Sequence, residues 1–256
     1  MATVILYAGC AAVYGVLAAL IALAGRPSRT GFALAGAAVV TAAWAAAVAW
    51  QPHEPFGSLP GGLDLLRALA WYGFVLHLFR RSVPGHPRLF GMLALLGVAA
   101  LLAALATTFA DGGAPVASLR SVGLDLRLLL AVGIVLLIEN LYRNIPEDAR
   151  WHASLPTVAL GGLFIYDIFL YSDAALFRRL SPVLVDGRAI ITATVAPLLA
   201  IAAARNRGWG IDIHVSRGVV FHSATLILGG SFLLGLAAVG EVFRRFGADW
   251  GFVAEI

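Results

Sequence analysis

TVILYAGCAAVYGVLAALIALAG, residues 3–25, runs for 23 positions without one charged side chain. A helix rising 1.5 Å per residue needs about 20 apolar residues to cross a bilayer core of about 30 Å, so this stretch is long enough to span a membrane. Working outward from it, seven further apolar runs follow at residues 32–50, 63–79, 89–109, 123–142, 154–170, 189–204 and 219–242. Pro27, Pro52, Pro55, Pro60, Pro84, Pro87, Pro115, Pro146 and Pro182 fall between the runs, where helices break. The expected fold class is all-α: a polytopic helical membrane protein of eight transmembrane helices. Residues 1–246 form its embedded domain, and residues 247–256 (GADWGFVAEI) begin a ninth span or a linker.

Composition agrees with that reading. The 256 residues are 61% hydrophobic and 12% charged, with a mean hydropathy of +0.89. Soluble domains carry about 25% charged residues, so the composition leaves no room for a sizeable soluble domain beside the spans. All 18 basic residues are arginine, which excludes a retinal-type Schiff base, a lysine nucleophile and a phosphate-binding loop of the G-x-x-x-x-G-K type. The single Cys10 excludes a disulfide framework and a cysteine-rich metal site, and it reads as a small apolar residue within the first span. No H-x-x-x-H or H-E-x-x-H pair occurs, so no zinc site is expected, and with no G-x-S-x-G nucleophile elbow either, no catalytic residue or cofactor is expected in this chain. The net charge of +4 is spread in ones and twos between apolar runs, which argues for orientation in a membrane and against nucleic acid.

Ten arginines fall in the connections after the first, third, fifth and seventh runs, whereas Arg120, Arg178, Arg179, Arg188, Arg244 and Arg245 fall in the opposite set. The positive-inside rule therefore places the N-terminus outside the cytoplasmic membrane. Trp50, Trp151, Trp209 and Trp250 lie at or just beyond run ends, where an interfacial aromatic belt belongs.

Ionisable residues inside a span cost at least about 2.5–3.5 kcal/mol, so each needs a partner, a wet cavity or a function. Asp64 and Arg67 stand three apart on the third span and can pair locally. Asp125 and Arg127 occupy the outer part of the fifth span, with Glu139 and Asn140 near its inner end. Tyr166 and Asp167 sit on the sixth, followed by Tyr171 and Asp173. His222 and Glu241 sit on the eighth. In the orientation above, Asp64, Arg67, Asp125, Arg127, Asp167, Asp173 and Glu241 share the outer half, where they would form a network that binds a ligand or a proton, or a set of salt bridges that fixes packing. Asp167, flanked by aromatics and with no basic residue within four positions, is the strongest candidate for a functional role. Glu139 can pair with Arg143 one turn on, and His77 suits a hydrogen bond at a helix interface.

Three segments carry a more specific signal: ENLYRNIPEDARW (residues 139–151), YDIFLYSDAALFRRL (166–180) and ARNRGWGIDIHVSRGVVFHSATL (204–226). Together they resemble the N-terminal membrane region of the PrsK-type sensor histidine kinases, which accompany bacterial exosortase and PEP-CTERM sorting systems. The resemblance implies a signal-input domain joined to a cytoplasmic GAF domain and kinase core, with ATP and Mg bound only there. It also implies a homodimer and a response regulator as partners. A small-solute or ion transporter using intramembrane carboxylates is the alternative, and an enzyme acting on lipid-linked sugars is a third reading.

Overall fold

A computed structural model describes residues 1–23, 29–82, 97, 98, 102, 116–144, 147–177 and 179–205. The fourth and eighth expected spans, the tail at 247–256, His222, Glu241, Trp209 and Trp250 lie outside those residues, apart from short helical fragments of the fourth span at 97, 98 and 102. Six helices make up the described fold: α1 (Ala2–Leu23), α2 (Arg29–Trp50), α3 (Ser58–Ser82), α4 (Val116–Asn144), α5 (Glu147–Phe177) and α6 (Pro182–Arg205). Four helical stretches are long and apolar enough to cross a membrane: α1, α2, Ser154–Phe177 of α5, and α6. The chain is thus a helical membrane protein whose surroundings are lipid, while α3 and α4 carry ionised groups that lower their apolar character.

Local sequence explains where these helices start. Gly57 O accepts from Gly61 N at 2.7 Å, so α3 begins around Ser58, and Pro60 falls in the first turn, where its missing N–H costs no helical bond. Ser181 O accepts from Val185 N at 3.0 Å, which makes Pro182 the first helical residue of α6, with its φ already set for a helix. Pro156 and Pro197 lie inside α5 and α6; interior prolines are tolerated in membrane helices, where neighbouring groups take up the freed carbonyl.

Each described helix packs on its neighbour in the chain, and α6 returns to α1, so the six close into a ring. The closing contact is polar: Tyr7 Oη on α1 donates to Val185 O on α6 at 2.8 Å. Tyr7 also meets Trp44 of α2 edge-on, with ring centroids 5.4 Å apart. α1 and α2 pack closely and both bury small residues, Cys10 and Ala18 on α1 and Ala37, Ala38 and Ala45 on α2. Between α2 and α3, Trp71 Nε1 donates to Thr41 Oγ1 at 3.0 Å, and Thr30 Oγ1 lies 3.0 Å from His77 Nε2. His77 is therefore the hydrogen-bonded interfacial histidine its position suggested.

Helical periodicity sorts the side chains. On α5, Val158, Ile165, Phe169 and Leu176 form an outward stripe, while Leu160, Leu163, Phe164, Asp167, Leu170, Tyr171 and Ala174 are buried on the opposite one. Trp50 is the last residue of α2 and is 83% exposed.

Candidate functional site: a buried arginine–aspartate cluster

The inward stripes of α3, α4, α5 and α6 bring five charged side chains together. Asp64 and Arg67 come from α3, Arg127 from α4, Asp167 from α5 and Arg188 from α6, and all are buried. Asp64 Oδ1 accepts from Arg188 Nη2 at 2.8 Å and from Arg67 Nε at 3.3 Å. Its Oδ2 accepts from Arg127 Nη1 at 2.8 Å and from Tyr171 Oη at 2.7 Å. Asp167 Oδ1 accepts from Arg188 Nε at 2.7 Å, and Oδ2 from Arg67 Nη2 at 2.6 Å. Tyr171 Oη in turn accepts from Arg188 Nη2 at 2.7 Å, and Arg127 Nη2 donates to Gly61 O at 3.0 Å.

Aromatic faces complete the shell. The guanidinium carbons of Arg67 and Arg188 lie 4.4 and 4.7 Å from the centroid of the Trp44 ring. Phe56, from the connection between α2 and α3, lies 5.5 Å from Arg127 and 5.7 Å from Arg188, and it meets Tyr171 edge-on at 6.1 Å. Cation–π contacts of this kind are strongest where water is excluded. A small cavity with room for about one water molecule opens beside the cluster, lined by Asp64, Arg127, Asp167, Tyr171 and Phe164 among others.

The cluster sits at one end of the ring. Asp64 and Arg188 each lie six residues past the first residue of their helix, which is about 9 Å along the axis. Phe56 covers that end. Gly61 is required there because a Cβ on it would lie 2.8 Å from Phe56 O and 3.2 Å from Arg127 Nη2. Gly61→Ala is expected to destabilise the domain by about 1–3 kcal/mol through displacement of this connection. Gly73→Ala, with nothing within 4 Å of its Cβ, should be neutral or stabilising by up to about 1 kcal/mol. Thermal unfolding of the two variants in detergent checks the contrast.

Of the candidates named from sequence, Asp64, Arg67, Arg127, Asp167 and Tyr171 meet in the cluster. Tyr166 stands beside it, half-buried, with Oη donating to Leu184 O at 2.9 Å and so tying α5 to α6. Asp125 does not join: two residues from Arg127, it is turned to the opposite face of α4 and is exposed with Leu129 and Leu136. Asp173 is half-buried past the cluster and is not part of it, and Glu139 and Asn140 lie on the exposed side of α4. The pairing expected of Glu139 with Arg143 falls on a side chain outside the described residues. Among the described residues no group of histidine, cysteine or carboxylate side chains is arranged to hold a metal ion.

Arg188 is the correction. Sequence reading assigned it to a connection before a span at 189–204, but it lies inside α6 at 2% exposure and bridges both carboxylates. The signal was Ser181-Pro182, a helix start that carries residue 188 almost two turns into the bundle. Trp44, Phe56 and Tyr7 gave no comparable signal, since aromatics in apolar runs are ordinary core residues.

Comparison of the chain with known protein families, curated proteins and solved structures gives no match. Fold and cluster by themselves define the class: a helical membrane protein with a buried ionic cluster within its bundle.

Proposed function

We propose that the bundle is the signal-input domain of a membrane sensor histidine kinase that phosphorylates a response regulator controlling exosortase- and PEP-CTERM-linked genes. One observation supports the reading beyond the resemblance of residues 139–151, 166–180 and 204–226: a fully buried ionic cluster fastens α3, α4, α5 and α6 at one end of the ring. Any ligand or proton that rearranges it shifts four helices at once. That is the property an input domain needs, since a signal biases two packings only through its different affinity for them.

In this reading the chain crosses the bacterial inner membrane eight times from an N-terminus outside, and the cluster faces the extracytoplasmic side. Asp64 and Arg127 meet although each lies in the first half of its helix, so α3 and α4 start at the same end. In this reading the run 89–109 supplies the return crossing between them. The output module, its ATP and Mg, and the homodimer it forms lie on the cytoplasmic side. Transport is disfavoured by the same geometry, because all four oxygens of Asp64 and Asp167 are already engaged by arginine or tyrosine.

The test is phosphotransfer from the gene product in native membranes. Histidine phosphorylation from ATP, passed to a response regulator, is expected. Tyr171→Phe should change its level by roughly twofold to tenfold with insertion intact, the effect of one net hydrogen bond of about 0.5–1.5 kcal/mol on a two-state equilibrium. A gene product that takes up no phosphate on histidine, or whose phosphorylation is indifferent to Tyr171→Phe, contradicts the reading.

A further inference from the structure

Three guanidiniums and two carboxylates make six pairs of opposite charge in the cluster, and five of the six are in direct contact at 2.6–3.2 Å. The sixth pair is Arg127 with Asp167, which no direct bond joins. Arg127 donates instead to Asp64 Oδ2 and to Gly61 O, both on α3. Asp167 is held by Arg67 of α3 and Arg188 of α6. Within the cluster these bonds tie α4 to α3, and none of them carries α4 directly to α5.

The small cavity lies at that gap. Arg127 and Ala131 line it from α4, Asp167, Tyr171 and Phe164 from α5, and Asp64 and Ala68 from α3. It has room for about one water molecule, and a buried water needs about two to four polar partners, which these four polar side chains supply. Each still has a bonding position to offer. A guanidinium carries five N–H groups, more than the two bonds above use on Arg127; each oxygen of Asp167 accepts one bond above and has a second lone pair, as has Tyr171 Oη. Donors on one wall and a carboxylate on the other require an occupant that both accepts and donates. That selects a neutral molecule of water size over a simple anion or cation, and a polar pair held apart across such a space is the geometry of a water bridge.

We propose that the cavity holds one tightly bound water that accepts from Arg127 and donates to Asp167, so that it completes the sixth pair and links α4 to α5. The other members of the network are side chains and cannot leave, whereas this link can be undone by exchange or displacement. It belongs to the bundle itself and is present whether or not the protein signals.

Radiolytic hydroxyl labelling of the purified full chain in heavy-oxygen water tests this, because radicals formed from a bound water add to the side chains beside it. Phe164 and Tyr171 are 1% and 3% exposed, out of reach of radicals from bulk solvent, and both should take up heavy oxygen. Trp71, 0% exposed and away from the cavity, should not. Ala131→Val fills the cavity with an apolar group and should lose the label. Ala131→Thr has the same shape with a hydroxyl that stands in for the water, so its thermal unfolding midpoint should lie above that of Ala131→Val. In a dry cavity the order reverses, since a buried hydroxyl costs more there than a methyl. Ala68→Val and Ala68→Thr, on the α3 wall, carry the same comparison if the Ala131 variants do not fold. No label on Phe164 and Tyr171, label no greater than on Trp71, label retained in the valine variant, or a valine variant more stable than its threonine counterpart each overturns the proposal. None of these results bears on phosphotransfer, so failure here leaves the signalling reading to its own test.

Discussion

Replacing Asp167 by Asn is expected to destabilise the helical domain by roughly 3–5 kcal/mol, the range seen when one partner of a buried ion pair is removed. Asp167 is 2% exposed and accepts from Arg67 at 2.6 Å and Arg188 at 2.7 Å. Asparagine keeps the shape and one carbonyl oxygen, but its amide turns a donor toward a guanidinium and removes the compensating charge. Arg67, Arg127 and Arg188 would then share Asp64 alone, in a place where an unpaired charge has no bulk water to retreat to. Asp125→Asn supplies the comparison: that carboxylate faces outward on α4, and its replacement should change stability by no more than about 0.5 kcal/mol. Chemical unfolding in detergent micelles distinguishes the two, and equal effects would show that Asp167 is not paired as described.

Arg188→Gln should cost a similar roughly 3–5 kcal/mol, because one guanidinium serves Asp64, Asp167 and Tyr171. Glutamine is long enough to reach one of these acceptors, and it removes the charge that balances two carboxylates still held by Arg67 and Arg127 alone. Its contact with the Trp44 ring is lost as well. The comparison is Arg179→Gln, nine residues earlier and exposed in the connection before α6, for which a change within about 0.5 kcal/mol is expected. If the two substitutions had equal effects, Arg188 would be the connection residue that a helix starting at Ala189 implies. Their difference measures where α6 begins.

How much of this was legible in the sequence follows from the physics of each signal. Helices in lipid announce themselves by length and apolarity, and α1, α2, α5 and α6 were read that way. Which face of each looks inward was not legible, because a membrane helix is apolar all round: on α5 the stripe from Val158 to Leu176 is as hydrophobic as the one holding Leu160 and Phe164. Asp64 and Arg67 could be paired on paper since they stand one turn apart. Asp167 could be marked as anomalous but not partnered, its arginines lying 100 and 21 residues away. Asp125 was grouped with Arg127 by depth, yet a two-residue step turns a helix by more than half a circle and separates them. Arg188 was lost through a boundary set by the apolar run alone, which ignored the proline that starts the helix.

The most direct test of the central claim, that one buried network ties these helices together, is a double-mutant cycle on Asp167 and Arg188. Unfolding free energies would be measured for the parent chain, Asp167→Asn, Arg188→Gln and the double variant. Groups that share a network are strongly non-additive, so the double variant should be less destabilised than the sum of the singles by about 1.5–3 kcal/mol. Additivity within about 0.5 kcal/mol would contradict the account, since it would mean that Asp167 and Arg188 do not meet.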